Sequence, residues 1–321
     1  MQYNDFFKNK KCLVTGGAGF IGSHLVETLT ELKAEVRVFD NLSTGKLDNI
    51  SSVKNDVDFI KGDIRDKNSL TKAMQGRDFV FHLAANPSVE FSVRFPSESL
   101  SVNFTGTQNV IETSVESGVK KLVFSSSCAI YGNLKPPLFE TLLPDTLSPY
   151  AVAKRASELL LESYFYTNPD FKWTALRYFN VFGQRQDPFS PYGAVIPKFI
   201  SATLSKKTPI IFGDGLQTRD FVYVKQVVNA NLRSCFTEKT DYQIINVGNG
   251  NNINLIQLLE LISEIVGYKI VPEYQPERTG DVKHSFADTS KMKKMFGENV
   301  EVSFKEAMQE TIKWYSASLK S

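Results

Sequence analysis

Six short apolar runs, rich in β-branched and aromatic residues, alternate with helical patterns over the first 178 residues, and this rhythm constrains the fold more than any other feature. The runs are KCLVTG (11–16), EVRVFD (35–40), VDFIKGD (57–63), DFVFHLA (78–84), KKLVFSS (120–126) and KWTALRY (172–178). Helical patterns cover 20–33, 68–75, 97–117 and 150–166. Strands that alternate with helices make βαβ units, so the chain is expected to build an α/β, doubly wound parallel sheet. Past residue 178 the rhythm breaks into Gly-, Pro- and Asp-rich loops (FGQRQDPFSPYG, FGDGLQTRD, VGNGNN), with helices expected at 192–205, 225–236, 254–266 and 303–318. We therefore expect a first domain over 1–177, a segment near 222–247 that returns to its sheet, and a smaller α/β substrate domain over 178–321.

The stretch TGGAGFIGSHL follows the first strand and opens the first helix. Gly17, Gly19 and Gly22 fit G-x-G-x-x-G, and Gly16, Gly19 and Gly22 fit G-x-x-G-x-x-G. Glycines there permit a tight turn and let backbone N–H groups approach a diphosphate, which the helix N-terminus also favours. This is the dinucleotide signature of a Rossmann-type sheet. Asp40 ends the second strand, 18 residues beyond Gly22. A carboxylate there accepts hydrogen bonds from an adenine ribose and repels a 2′-phosphate, which favours NAD over NADP. Asp63, in GDIRD, is placed to reach the adenine or to shape a turn.

SPYAVAK puts Tyr150 and Lys154 four apart at the start of a helix, on one face. An ammonium beside a phenol favours the phenolate and is expected to lower the tyrosine pKa from near 10. Such a tyrosine serves as base and acid. SSSCAIYG follows the fifth strand, at the edge where open α/β sheets bind ligands, so the Ser127 hydroxyl can meet the same substrate oxygen. Cys128 has no histidine nearby in sequence to activate it and is read as structural.

Composition narrows the setting. A net charge of +2 and 22% charged residues give no reason to expect nucleic acid or an anionic membrane as partner. Cys12, Cys128 and Cys235 form neither a C-x-x-C pair nor a disulfide framework, and His24, His82 and His284 are scattered, so no metal site is expected. The start, MQYNDFFKNKKC, lacks an apolar signal core, and no run of about 18 apolar residues occurs. A reducing, cytoplasmic compartment is the expectation.

TGGAGFIG, Asp40, Asp63, HLAA (82–85), NFTGT (103–107), SSSCAIYG, YAVAK and RYFNVFG (177–183) stand in the order and spacing of the extended short-chain dehydrogenase/reductases. Over nearly the whole chain the sequence resembles that family, and within it most closely the UDP-sugar 4-epimerases. The resemblance implies Tyr150 as catalytic base and acid, Lys154 as its partner and ribose ligand, and Ser127 as the catalytic hydroxyl. It implies NAD contacts from Gly16, Gly19, Phe20, Ile21, Gly22, Asp40, Asn41, Asp63, Ile64, Leu83, Ala84, Ala85, Ser125 and Tyr178, as well as Tyr150 and Lys154. Asn103 would help order the active-site helix and cofactor. The implied reaction takes the proton from the sugar 4-hydroxyl and the C4 hydride, turns the 4-keto sugar, and returns both to its other face. The helices at 97–117 and 150–166 resemble those that pair subunits in a four-helix bundle, which implies a homodimer.

Dehydratases of the family place an acidic pair just after the catalytic Ser/Thr, and decarboxylases a Glu in that segment. Cys128, Ala129 and Ile130 stand here instead, which favours epimerase chemistry, with a reductase still open. Asn180, Arg219 and Arg278 match positions that hold the nucleotide diphosphate, and arginine forks suit phosphate oxygens. Asp281 matches a uridine-ribose ligand, and segments 194–199 (Ala194, Val195) and 209–212 (Phe212) resemble those that flank the uracil. Ser285 stands where glucose-type epimerases resemble one another in a bulky tyrosine near the sugar C2 group, so it would leave room for a 2-acetamido group. Ser88, in SVEF, would line the same side. The resemblance thus implies a UDP-N-acetylglucosamine 4-epimerase. UDP-glucose and UDP-glucuronate 4-epimerases stay open, and so does a non-catalytic NAD-binding regulatory protein.

Overall fold

The computed structural model describes residues 3–189, 194–277, 282–297 and 302–319. In chain order the first half runs α1 (Tyr3–Phe6), β1 (Lys11–Thr15), α2 (Phe20–Glu31), β2 (Glu35–Asp40), β3 (Val57–Lys61), α3 (Lys67–Met74) and β4 (Phe79–His82). There follow α4 (Val89–Arg94), α5 (Pro96–Leu100), α6 (Gly106–Glu116), β5 (Lys121–Ser127), α7 (Pro149–Thr167) and β6 (Lys172–Tyr178). The second half comprises β7 (Asn180–Phe182), α8 (Val195–Leu204), β8 (Ile210–Phe212), β9 (Thr218–Arg219), β10 (Phe221–Tyr223), α9 (Val224–Phe236) and β11 (Gln243–Val247). It closes with β12 (Ile253–Asn254), α10 (Leu255–Val266), β13 (Glu273–Gln275), β14 (His284–Ser285), α11 (Ser290–Phe296) and α12 (Phe304–Ser318).

Among the described residues the main sheet has seven strands in the order β11-β6-β5-β4-β1-β2-β3, all parallel. This is the expected doubly wound sheet. Successive side chains of a strand face opposite sides. Cys12 and Val14 therefore join the cluster built with Leu25, Val26 and Leu29 of α2 and Val227 and Val228 of α9. Leu13 joins the opposite cluster, with Leu70 of α3, Val110 and Ile111 of α6 and Leu161 of α7. Burial on both faces makes the strands continuous apolar runs. The return segment is α9 followed by β11, which pairs with β6 from Gln243↔Thr174 to Val247↔Tyr178.

The expected helix at 97–117 is not regular. α5 and α6 are joined by a π-helical turn over Ser101–Thr105, with Asn103 buried in it. Segment 88–91, given no structure from sequence, opens α4, whose N-cap Ser88 accepts from the Phe91 N–H at 2.9 Å. α12 starts on a capping box in which Ser303 and Glu306 bond each other's backbone N–H. A further apolar cluster joins Phe182, Ile196, Phe199, Phe221, Leu258, Ile262, Met308 and Tyr315, which ties α8, α10 and α12 to the short strands of the second half.

Candidate active site

The sheet order reverses between β1 and β4, and ligands of open α/β sheets bind outside the carboxyl ends of strands at such a point. The loops leaving these two strands touch. A Cβ added at Gly16, whose φ is +71°, would stand 2.6 Å from the Ala84 backbone N, and one at Gly22 only 2.1 Å from the Gly16 carbonyl oxygen. Gly19 is the N-cap of α2 and brings no capping side chain, so the helix N-terminus keeps its first N–H groups for an anion. Phe20 and Ile21 open α2 and pack their side chains on the second-half cluster. Leu83 and Ala84 pack on opposite faces of the sheet, and Ala85 is half-buried beside them.

Asp40 is buried at the end of β2, where its carboxylate accepts from the Ala18 N–H at 2.9 Å and the Leu42 N–H at 2.8 Å. Burial raises its pKa and these two bonds oppose the rise. Each carboxylate oxygen keeps a free lone pair for a ribose hydroxyl. Asn41 donates to Asp63 at 2.9 Å, and Arg65 holds Asp63 well below the usual carboxylate range by hydrogen bonding. Ile64 is buried and packs on Gly106 of α6. The glycine cradle, the uncapped helix start and the half-satisfied Asp40 together fit NAD.

Tyr150, Lys154 and Glu158 lie at successive four-residue steps on the buried face of α7, whose N-cap Ser148 accepts from the Ala151 N–H at 3.2 Å. The Tyr150 side chain is hydrogen-bonded to Ser127. Lys154 donates to the Ser125 carbonyl at 2.7 Å and lies 5.8 Å from the Tyr150 ring centroid. The expected lowering of the tyrosine is overturned: burial pushes Tyr150 up to about 12, with the Ser127 bond working the other way. Lys154 is itself brought down to about 8 by burial, with Glu158 opposing. Cys128 is pushed up to about 12, mainly by burial, and packs with Ile130, Leu138 and Ala287 as a structural thiol. Tyr178 is buried, and its hydroxyl bonds Ser125 at 3.1 Å and Asn231 at 2.7 Å.

On the second-half side, Asn180 opens β7 and pairs with Phe221. Arg219 ends β9 and stands in register with Ser285 of β14, which is buried. The Arg219 guanidinium donates to the Thr218 carbonyl at 2.9 Å and the Lys283 carbonyl at 3.3 Å. Val195 opens α8 behind its N-cap Ala194, and Phe212 ends β8. Arg278 and Asp281 lie outside the described residues. Among the described residues no group of three His, Cys, Asp or Glu side chains gathers to hold a metal, and no helix is long and apolar enough to cross a membrane. A cavity of about 540 Å³ beside α10, lined by Ile211, Leu259, Tyr268 and Tyr274 among others, includes none of these site residues.

The structure adds residues that the sequence reading left aside. His82 is buried between Thr15 Oγ1 (2.7 Å, at Nδ1) and Thr107 Oγ1 (3.0 Å, at Nε2). Thr107 donates onward to the Asn103 carbonyl, so its oxygen accepts from Nε2–H, and Nδ1 is the acceptor for Thr15. Asn103 in turn accepts from the Asn86 N–H at 2.8 Å and donates to its carbonyl at 3.0 Å. One relay thus joins the end of β1 to the loop after β4. Asp220, fully buried, accepts from the backbone N–H groups of Asn249, Gly250 and Ala287. The signal for Asp220 was its place beside Arg219, but what it binds is backbone, which no spacing reveals.

Residues 12–248 match the family described as "NAD dependent epimerase/dehydratase family". A solved UDP-N-acetylglucosamine 4-epimerase from Methanobrevibacter ruminantium M1, in complex with UDP-N-acetylmuramic acid, is 42% identical, with a TM-score of 0.93 over 97% of this chain and 99% of its own. A UDP-glucose 4-epimerase from Thermotoga maritima, solved with UDP-glucose, is 40% identical, with a TM-score of 0.91 over 96% of this chain and 99% of its own. A UDP-N-acetyl-α-D-glucosaminuronate decarboxylase of Bacillus cytotoxicus is 34% identical across 95% of this chain and 98% of its own. By sequence and by structure, the chain belongs to the NAD dependent epimerase/dehydratase family.

Proposed function

We propose that the chain inverts C4 of UDP-N-acetylglucosamine to give UDP-N-acetylgalactosamine, and also accepts the smaller UDP-glucose and UDP-galactose. The observation that carries the sugar assignment is Ser285: a small buried side chain in register with Arg219, two residues before Ala287, which bridges Leu138. Residues 16–22 and Asp40 would hold NAD, which would supply the hydride chemistry at C4. Tyr150 removes the proton of the 4-hydroxyl and restores it on the opposite face. Burial disfavours the phenolate this requires, and the Ser127 hydrogen bond and the Lys154 cation favour it. Ser127 holds the same oxygen in line. Cys128, Ala129 and Ile130 bring no carboxyl group to this edge, which supports epimerisation over water elimination or decarboxylation. Asn180 and Arg219, joined by Arg278 and Asp281, anchor the UDP.

UDP-glucose as main substrate is the second reading, supported by the Thermotoga maritima relative. The deciding experiment incubates purified protein with each UDP-sugar without added NAD and follows C4 configuration by NMR. Inversion of UDP-N-acetylglucosamine is expected. Rapid turnover of UDP-glucose with none of the acetylated sugar sinks the acetamido assignment. Full activity in Tyr150→Phe would refute the catalytic role of that tyrosine.

A further inference from the structure

Four polar side chains beneath the site, Glu158, Arg177, Tyr131 and Asn246, are each at most 1% exposed, and of these only Glu158 entered the account above, as the carboxylate that opposes the lowering of Lys154. Ser126 and Arg177 are register partners on β5 and β6, so they point to the same face and both meet Glu158 of α7. Glu158 Oε1 accepts from Ser126 Oγ at 2.6 Å and Arg177 Nε at 2.9 Å, and its Oε2 accepts from Arg177 Nη2 at 2.8 Å. Arg177 Nη1 donates to the Tyr131 hydroxyl at 2.9 Å, and Tyr131 donates to Asn246 Oδ1 at 2.7 Å. The Asn246 amide donates to the carbonyls of Leu138 at 2.8 Å and Asp288 at 3.5 Å, while its backbone N–H donates to Glu140 at 2.8 Å. Leu138 brackets Ala287, just past the strand that carries Ser285, through Leu138 N–H to the Phe286 carbonyl (3.0 Å) and Asp288 N–H to the Leu138 carbonyl (2.9 Å).

The chain therefore starts one turn beyond Lys154 and ends on the backbone beside Ser285. In a low-dielectric interior each unmade link is expensive, so a fully satisfied network of this kind has one favoured arrangement. The planar Arg177 fork fixes the angle between α7 and the Tyr131 turn. We propose that Tyr131 and Asn246 are positioning residues that set the strand carrying Ser285 relative to Ser127 and Tyr150, and so govern sugar fit without entering proton transfer. This rests on the reading that Ser285 borders the sugar.

Tyr131→Phe keeps the ring and removes the central hydroxyl. KM and kcat are measured for UDP-N-acetylglucosamine and UDP-glucose from pH 6 to 9. The hydroxyl makes two buried hydrogen bonds, with Arg177 and Asn246, and we expect their loss to raise KM for the acetylated sugar about tenfold. The rise for UDP-glucose is smaller, kcat stays within about twofold, and the pH limb does not move. A fall in kcat at constant KM, a displaced pH limb, or equal KM changes for both sugars overturns the proposal. Should the single variant fail to fold, Tyr131→Phe with Asn246→Leu leaves no orphaned acceptor between the two positions and is read by the same split. A wild-type protein that inverts only UDP-glucose defeats the acetamido assignment, and the KM–kcat split on that sugar still decides the network.

Discussion

Lys154 sets the point at which the pH dependence of the proposed chemistry levels off. Its ammonium is the cation that favours the Tyr150 phenolate, and burial brings it down to about 8 while Glu158 opposes. Tyr150, at about 12, is mostly protonated in the free protein, so the active phenolate–ammonium pair grows about tenfold per pH unit and kcat/KM should rise with it up to pH 8. Above 8 each gain in phenolate is cancelled by loss of the Lys154 proton, and the profile should be flat. In Lys154→Arg the charge persists and the rise should continue past 8. A profile that still levels off at 8 in that variant assigns the break to another group. On the proposed reading Ser285 borders the sugar, and because it is buried a larger side chain there must claim space. Ser285→Tyr should lose turnover of the N-acetylated sugar and retain that of UDP-glucose, and equal loss of both would mean a structural role. At this scale spacing made Tyr150, Lys154 and Ser127 legible, because helix periodicity and a strand end fix where they point. The sign of the tyrosine shift was not legible, because desolvation depends on what covers the side chain.

The elements that sequence reads best are those whose environment is uniform. β1, β4 and β5 are buried on both faces and stand out as apolar runs, whereas β9, β12 and β14 are two residues each and have no period to detect. The π-helical turn at Ser101–Thr105 escaped for a different reason: its local sequence is helical, and Asn103 is committed there to the backbone of Asn86, 17 residues away. The same relay makes a prediction about acid stability. His82 must stay neutral to accept from Thr15, and burial lowers it to about 3 in the fold, against about 6.5 unfolded. Between those values the unfolded chain binds more protons, so stability is intact above pH 6.5 and drains away as pH falls toward 3. His24, lowered mainly by burial to about 4, acts in the same direction. The midpoint of thermal unfolding should drop across this window, and His82→Gln should flatten the slope while leaving His24's share. An unchanged slope in that variant removes His82 from the account.

On the scale of the whole molecule, α4, α5 and α7 present an apolar face that no described residue covers. Val89, Val93, Phe95, Leu100, Val152 and Leu159 are all at least a third exposed. On α7, Val152, Leu159 and Tyr166 recur every seven residues, which draws one stripe along the helix, as in a helix–helix seam. A patch of this kind on an otherwise mixed surface marks an association site. We propose that a second copy of the same face completes a bundle of antiparallel helix pairs under two-fold symmetry, so that each side chain counts twice. With about 1.5 kcal/mol for each buried aliphatic group, Leu159→Glu should remove about 3 kcal/mol and raise the dimer dissociation constant at least 100-fold. Sedimentation equilibrium should show a wild-type mass near twice 36.1 kDa and a variant at the single-chain mass. A wild-type protein that sediments as a monomer at micromolar concentration would leave the α7 stripe unexplained and end the dimer proposal.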